Sequence, residues 1–232
     1  MDKSTKIGQI AFGDSINDEE NKTAKCIDEY YKVHLQDYEI QKEKITRNIE
    51  GRICHHKVLV LDILRHLYDL NYYAEIGTHS GASLSYCVLN EKRLNAFAID
   101  LFEDTFGHYL NDNLSLESTK QNLQRTNSHN HDIRYIKGNS NSDETENKLK
   151  ESLNSNELDL LFIDGDHTYE GVKNDFERFS KYVKRGGFIV VDDFNIRYAS
   201  IVTYVYNFLM NNETYKVIGV FLNNELILKK LN

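Results

Sequence analysis

Acidic side chains and one histidine follow two apolar runs in the C-terminal third of the chain. Asp164-Gly165-Asp166-His167 comes after the run LDLLFI, and Asp192-Asp193 comes after FIVV. Neighbouring carboxylates repel one another unless they share a proton or a cation. Because Mg²⁺ prefers carboxylate oxygens, we predict a magnesium site in this group; zinc is less favoured, since the group offers few nitrogen and sulfur ligands. The alternative, that Asp166 or Asp193 caps a helix and no metal binds, stays open.

His167 lies on the same loop as these acids. Imidazole titrates near neutral pH and can accept a proton from a hydroxyl group. A single histidine is usually structural, but its place in the acidic loop makes His167 the leading candidate for a base. Weaker claims belong to His55, His56, His79 and His108.

Two glycines frame the turn after an earlier apolar run, in Glu75-Ile76-Gly77-Thr78-His79-Ser80-Gly81-Ala82-Ser83. Gly77 permits a tight turn, and Gly81 permits close approach of a ligand or a helix backbone. The N-terminus of the next helix offers free N–H groups to an anion. The spacing differs from GxGxxG and no P-loop lysine follows, so we favour a small anion such as an amino-acid carboxylate over pyrophosphate. A plain strand-to-helix turn stays open.

Asp100 ends the next apolar run, NAFAID. An acid at the end of the second strand of such a sheet can accept hydrogen bonds from the two ribose hydroxyls. The residue therefore favours a nucleoside ligand, although a capping role is equally common. Glu103 is the competing candidate for this role.

The elements that carry these residues alternate between apolar runs and helical patterns. We predict strands at 72–77, 95–100, 132–138, 158–166 and 186–194, and helices at 82–90, 115–126, 142–154, 169–184 and 197–210. Two last runs, 215–222 and 224–231, meet at Asn223-Asn224 and predict a hairpin. The fold class is therefore α/β: a Rossmann-like, doubly wound, seven-stranded, mostly parallel sheet with a C-terminal antiparallel hairpin. Ligands bind such sheets outside the carboxyl ends of the strands, where all the polar candidates fall.

The N-terminal part is predicted to be helical and separate from this sheet. Residues 1–16 are polar and aperiodic, which predicts a loose arm, and the charged residues 17–50 predict one or two surface helices. Residues 53–70 repeat apolar side chains every three to four positions and predict a buried helix. We divide the chain into an arm and helical extension at 1–50 and a main domain at 51–232. A lid, a homodimer contact and simple packing are all open for the N-terminal third.

Composition excludes several classes of partner. The 232 residues include 28 Lys and Arg against 36 Asp and Glu, and the net charge of −8 disfavours nucleic acid and anionic membranes. No apolar stretch approaches the roughly 20 residues of a membrane helix, and the N-terminus lacks a signal peptide's apolar run, so we expect a cytoplasmic protein. Cys26, Cys54 and Cys87 form no CxxC pair and predict reduced, buried thiols.

Together these residues resemble the class I S-adenosylmethionine-dependent methyltransferases. The chain is most similar to the metal-dependent O-methyltransferases of the macrocin and catechol O-methyltransferase kind. The resemblance runs from about Gly51 to the C-terminus. It rests on ExGxxxGxS at 75–83 and, more specifically, on FIDGDHTYEGVKND at 162–175 followed by GGFIVVDDF at 186–194.

The resemblance implies a role for each candidate. The donor's methionine end would lie against Glu75, Gly77, Thr78, His79, Ser80, Gly81 and Ser83; its ribose against Asp100; its adenine near Asn139 and Ser140. Asp164, Asp192 and Asp193 match the family's metal ligands, and Asp164 also lies beside the cofactor and the catalytic base. His167 occupies the position of that base. The loop 101–115 departs from the family pattern and residues 1–50 match nothing that we can name, so the substrate stays open.

We therefore expect S-adenosylmethionine-dependent methyl transfer, with Mg²⁺, to a hydroxyl group of a small molecule. A sugar or glycan unit is favoured over a catechol because of the macrocin-type resemblance and His167. A nicotinamide-dependent oxidoreductase is the rival enzyme, although GxGxxG is missing. A second rival is a non-catalytic S-adenosylmethionine-binding module with a structural acidic cluster. A nucleic-acid methyltransferase would need a basic face and usually an Asn/Asp-Pro-Pro-aromatic motif, which a chain without proline cannot have.

Overall fold

Helices and strands alternate along most of the computed structural model, which describes residues 22–48, 58–103 and 114–232. The helices are α1 Lys22–Asn48, α2 Leu59–Leu67, α3 Ala82–Leu89, α4 Leu116–Thr126, α5 Asp143–Leu153, α6 Tyr169–Phe179 and α7 Ala199–Met210. The strands are β1 Tyr72–Ile76, β2 Asn95–Asp100, β3 Asp132–Lys137, β4 Leu158–Ile163, β5 Val183–Val191, β6 Tyr215–Phe221 and β7 Glu225–Lys230. Short 3₁₀ turns lie at Ser180–Tyr182 and Ile196–Tyr198.

One seven-stranded sheet carries the fold, in the order β3-β2-β1-β4-β5-β7-β6. The first five strands in that order are parallel, and β7 runs antiparallel to both β5 and β6. The predicted fold class is confirmed, including the closing hairpin. The chain moves outward from β1 to β3 and then returns to place β4 on the other side of β1. The carboxyl ends of β1 and β4 therefore flank the switch point where ligands bind in this class of sheet.

The central strands are buried on both faces, as parallel strands covered by helices should be. All six residues of β4 are buried. Leu160 and Phe162 pack on one side with α2 and α3, and Leu161 and Ile163 pack on the other with α6 and α7. Each fully buried side chain of this size contributes about 1.5–3 kcal/mol, so the sheet holds its polar strand ends in fixed positions.

The boundary between α6 and β5 differs from the prediction. A single helix over 169–184 is wrong, because α6 ends at Phe179 and β5 begins at Val183, which pairs with Leu158. The strand predicted to begin at residue 186 thus begins at Val183, and Gly186 and Gly187 lie inside it, at an irregularity in its pairing with β4. A Cβ atom at Gly187 would stand 3.0 Å from the Asp159 carbonyl oxygen, so glycine allows the two backbones to approach there.

The N-terminal segment forms one helix, α1, where the sequence allowed one or two. Its Ile27 and Tyr38 are buried in the same core as α2, whereas Leu35 is 40% exposed. The predicted arm at 1–16 and the domain boundary at residue 50 lie outside the described residues and stay predictions.

The cysteine prediction is wrong for Cys26, which is exposed because it lies on the outer face of α1. Cys87 is buried as predicted, and Cys54 lies outside the described residues. Within the described ranges, no helix is both long enough and apolar enough to cross a membrane.

Candidate active site

The turn after β1 is packed directly against the turn after β4. Gly77 has a φ of 86°, in the left-handed region, and a Cβ atom there would stand 1.9 Å from the Asp164 carbonyl oxygen. The Asp164 N–H in turn donates to the Ile76 carbonyl oxygen at 2.9 Å. Only glycine fits this contact. The contact places the loop predicted to hold the methyl donor beside the loop that begins with Asp164.

The donor loop, residues 77–81, is held from outside by α4. Thr119 Oγ1 donates to the His79 carbonyl oxygen at 2.7 Å, and Asn122 Nδ2 donates to the Ser80 carbonyl oxygen at 3.1 Å. Gly81, with a φ of 85°, precedes α3 and gives it no side-chain cap. The first N–H groups of α3 therefore point into the loop without a side-chain cap, as an anion site requires.

Glu75 is fully buried beneath this loop. Ser83 Oγ donates to its Oε1 at 2.5 Å, and the Tyr73 hydroxyl donates to its Oε2. Burial raises the pKa of Glu75 to about 8, although these two hydrogen bonds act in the opposite direction. The side chain thus joins β1 to the first turn of α3, and contact with a ligand stays a prediction for Glu75 and Ser83.

The Asp100 carboxylate closes the donor loop from the end of β2. Its Oδ2 accepts the His79 N–H at 2.9 Å, and its Oδ1 accepts the Phe102 N–H at 2.6 Å. Each oxygen keeps a further lone pair for a hydroxyl group. The competing candidate, Glu103, is instead paired with Lys137 at 2.8 Å.

Asn139 and Ser140 follow β3 at the same edge of the sheet. The Asn139 side chain is exposed and accepts the Asn141 N–H at 2.9 Å. Ser140 lies beside the carboxylate of Asp175, an acid of α6 that sequence reasoning missed. Burial raises the pKa of Asp175 to about 6, and a Cβ atom at Gly165 would stand 2.5 Å from its Oδ2.

Three side chains, which we call the His–Asp trio, meet at the carboxyl ends of β4 and β5: Asp164, His167 and Asp193. The His167 Nε2 lies 3.2 Å from Asp164 Oδ1, and its Nδ1 lies 3.7 Å from Asp193 Oδ2. One ligand atom from each lies within 4.8 Å of the others, a spacing that no other set of three His, Cys, Asp or Glu side chains reaches in the described ranges. Two carboxylates and an imidazole suit a divalent cation.

The trio is held by α7 and the turn before it. Ser200 Oγ donates to the His167 carbonyl oxygen at 2.6 Å, and the Tyr198 ring meets the imidazole edge-on with centroids 4.9 Å apart. The charge of Asp193 raises the pKa of the Tyr198 hydroxyl, which also hydrogen-bonds to it. These contacts fix the orientation of the imidazole.

Asp166 points away from the trio. Its Oδ1 accepts the Thr168 N–H at 2.9 Å, and its Oδ2 accepts the Thr168 hydroxyl at 3.0 Å. Thr168 is the N-cap residue of α6, so Asp166 supports the residue that caps this helix and does not cap it itself.

Asp192, a predicted metal ligand, lies beside the trio rather than in it. Its Oδ1 accepts the Asp193 N–H at 2.6 Å and Asn224 Nδ2 at 2.5 Å. Burial, and then the charge of Asp164, raise the pKa of Asp192 to about 7. The adjoining carboxyl of Glu225 is fully buried, and burial together with Asp192 raises its pKa well above the usual range.

Sequence reasoning missed Asn224 and Glu225 because the hairpin residues were interpreted only as a turn. The usable clue was orientation: an antiparallel β7 begins at the edge where the parallel strands end. Polar residues at its start therefore join the same cluster. The weaker candidates His55, His56 and His108 lie outside the described residues.

Comparison with known proteins gives matches in sequence and in fold. The sequence model of a family described as a methyltransferase domain matches residues 74–194. The uncharacterized protein R132 of Acanthamoeba polyphaga mimivirus is 37% identical over 157 residues, which are 66% of this chain and 66% of that protein. The chain thus spans just under two thirds of that relative's length.

Solved structures share the fold at low sequence identity. A protein assigned as a caffeoyl-CoA O-methyltransferase from Staphylococcus aureus superposes with a TM-score of 0.59 at 19% identity, covering 88% of this chain and 98% of that one. CalS11, a calicheamicin methyltransferase, superposes with a TM-score of 0.55 at 12% identity, covering 97% of this chain and 90% of that one.

Proposed function

We propose, because this chain belongs to the methyltransferase-domain family, that it transfers a methyl group from S-adenosylmethionine to a hydroxyl group of a small molecule. One observation carries the proposal: the donor loop at Gly77 touches the loop that begins with Asp164. A donor bound in the first loop would thus present its methyl group beside the His–Asp trio. Such alignment is itself a large part of catalysis of a bimolecular reaction.

The donor loop offers groups suited to each end of S-adenosylmethionine. The uncapped N–H groups of α3 suit the methionine carboxylate, and the remaining lone pairs of Asp100 suit the ribose hydroxyls. Asn139 and Ser140 lie at the next strand end, on the side predicted for adenine. Thr78, His79 and Ser80 form the wall of the loop between its two glycines.

In this proposal His167 is the general base that accepts the acceptor's proton. Asp164 and Asp193 flank its two ring nitrogens, and their negative charges would stabilise the imidazolium formed in the reaction. Tyr198 and Ser200 keep the ring in place. Proton removal matters because a neutral hydroxyl is a poor nucleophile towards the sulfonium methyl group.

The same carboxylates would hold Mg²⁺. Asp164 and Asp193 supply oxygens in the trio, and Asp192 contacts Asp164 from the buried side. Burial, and then the charge of Asp164, raise the pKa of Asp192, and a bound cation would favour its ionised form. When bound, Mg²⁺ would lower the pKa of an acceptor hydroxyl by Lewis-acid polarisation. The imidazole serves as the base only while it is not a ligand itself.

For the acceptor we propose a sugar or glycan hydroxyl. Alkyl hydroxyls are weak acids, and the combination of an imidazole with a carboxylate metal site addresses that difficulty. One solved structure of CalS11 is described as a TDP-rhamnose 3′-O-methyltransferase. Its identity to this chain is 13%, so the sugar proposal depends on the site chemistry and the macrocin-type resemblance.

Calorimetry with EDTA-stripped protein tests the donor first, with S-adenosylmethionine and NADH titrated separately. We expect heat with S-adenosylmethionine alone; a response to NADH instead would overturn the proposal in favour of an oxidoreductase. Release of S-adenosylhomocysteine is then measured with Mg²⁺ and a panel of sugars, nucleotide sugars and catechols. Donor binding without turnover on any of them would favour a non-catalytic binding module.

A further inference from the structure

A separate cavity of about 400 Å³ lies between α1 and α2. Its polar and aromatic wall is formed by Tyr30, His34, Asp37, Tyr38, Asp62 and His66. None of these residues belongs to the strand ends that form the candidate active site. The volume falls within the range of pockets that hold small molecules, which is about 300–1,000 Å³.

Asp62 places a buried carboxylate oxygen in the wall of this cavity. The residue is 1% exposed, and its Oδ1 accepts Asn90 Nδ2 at 3.1 Å. Its Oδ2 accepts no hydrogen bond from the described part of the chain. His66 Nδ1 lies 3.2 Å from that oxygen but makes its hydrogen bond to the Asp62 carbonyl oxygen, at 3.0 Å. This buried oxygen therefore has an ion-pair partner in His66 but no hydrogen bond of good geometry, and such an oxygen favours a ligand that donates.

Two further polar atoms in the cavity wall are also buried without a hydrogen bond of good geometry. Gln41 Oε1 and the Tyr38 hydroxyl are buried, and neither has a partner in hydrogen-bond geometry among the described residues. Tyr38 is 2% exposed and faces Asp62; burial, and then the charge of Asp62, raise the pKa of its hydroxyl. Two of the three atoms can only accept hydrogen bonds, so the ligand must carry several N–H or O–H donors.

The charges and aromatic rings of the cavity wall indicate which class of ligand it would bind. Asp37 adds a second carboxylate, 3.3 Å from His34, and Tyr30 stacks on the His34 ring with centroids 4.3 Å apart. No Lys or Arg is among the described residues that line the cavity. The buried guanidinium of Arg65 donates to backbone carbonyls of Cys87 and Lys92 instead. The cationic partners present are imidazoles: His66 lies beside Asp62, whose hydrogen bonding raises the pKa of His66, and His34 lies beside Asp37. Two carboxylates and two tyrosine faces suit an organic ammonium group in addition to these imidazoles.

We propose that this cavity binds a small organic cation with N–H donors, whose ammonium group is held between Asp62 and Gln41. The Tyr30 and Tyr38 rings form the walls that contact its carbon skeleton. This second ligand site is independent of methyl transfer and requires neither S-adenosylmethionine nor a metal.

Calorimetry of the full chain with 1,4-diaminobutane tests the proposal, and 1,4-butanediol serves as the neutral probe of matched length. We expect the diamine to bind and the diol not to bind measurably. Loss of one charge-assisted hydrogen bond in Asp62→Asn should weaken diamine binding by about tenfold or more, and Asp37→Asn should weaken it several-fold. Asp28→Asn, on the exposed side of α1, is the matched control and should change nothing.

Equal binding of diol and diamine would overturn the proposal, as would diamine affinity that neither Asp62→Asn nor Asp37→Asn alters. Asp37 is exposed, so Asp37→Asn keeps the test available if Asp62→Asn does not fold. Titration of S-adenosylmethionine into the same variants should give unchanged affinity, because the two sites share no residue.

Discussion

The Nε2 atom of His167 lies 3.2 Å from Oδ1 of Asp164, across a loop that leaves the carboxyl end of β4. Two residues of one short loop thus form an imidazole–carboxylate pair next to the glycine turn of β1. The Asp164 carboxylate can hold the ring in one orientation. Under the proposed function, that pair is the part of the site that would carry out catalysis.

Replacement of His167 by Ala should lower kcat by about a hundredfold to ten-thousandfold, the usual loss for a general base. S-adenosylmethionine affinity should stay unchanged, because the ring is proposed to act on the acceptor. Steady-state kinetics and calorimetry measure the two effects. The matched control is His129→Ala, at an exposed position away from the strand ends. Equal loss of donor affinity in His167→Ala would contradict the role of base.

Metal binding should depend on the two carboxylates of the trio, Asp164 and Asp193, and not on Asp166, the other acid of the loop. Asp164→Asn and Asp193→Asn each remove a charged ligand and should weaken Mn²⁺ binding by about tenfold or more, as measured by electron paramagnetic resonance. Asp166→Asn is the control from the same loop and should leave Mn²⁺ affinity unchanged, since that carboxylate bonds Thr168.

Mn²⁺ binding to His167→Ala, compared with Asp193→Asn, tests whether His167 acts as the base or as a metal ligand. If His167→Ala weakens Mn²⁺ binding as much as Asp193→Asn does, the imidazole is a ligand and a different group must remove the proton. Unchanged Mn²⁺ affinity in His167→Ala, together with lost turnover, is the expected result.

Gly77→Ala should destabilise the fold by about 2–4 kcal/mol, because the new Cβ atom would clash with the Asp164 carbonyl oxygen at a positive φ. Urea unfolding measures this loss. Gly219→Ala is the matched control: its position in β6 is open, with no atom within 4 Å of the new Cβ, and its effect should stay within about 0.5 kcal/mol. Similar losses in both variants would contradict the close contact of the two loops.

Asp175 should make the fold less stable as pH rises from 4 to 7. Its pKa is raised to about 6 in the folded chain, against 3.8 as the reference, so the folded state holds a proton that the unfolded state has lost. This difference in pKa corresponds to about 3 kcal/mol. Urea unfolding across this pH range should show a smaller decline in Asp175→Asn, whereas the exposed control Asp69→Asn should follow the wild type. An identical decline in Asp175→Asn would refute the buried proton.

Most strands of the sheet could be predicted from the sequence, because each strand is marked by a short apolar run of its own residues. The runs ending at Glu75, Asp100 and Asp164 are apolar along their length, and parallel topology alone brings their ends to one edge. The helix–strand boundary at 179–183 could not be predicted, since the pairing of Val183 with Leu158 depends on a neighbouring strand.

The site itself divides in the same way. The polar residues at the strand ends could be predicted from the sequence, because apolar runs and parallel connections are properties of the local chain. Which of these residues meet depends on the packing of the whole fold: His167 contacts Asp164 and Asp193, while Asp192 contacts Asn224 and Glu225. Side-chain partners come from strands that are distant in sequence, and the partners of Asp192 lie at the start of the antiparallel β7.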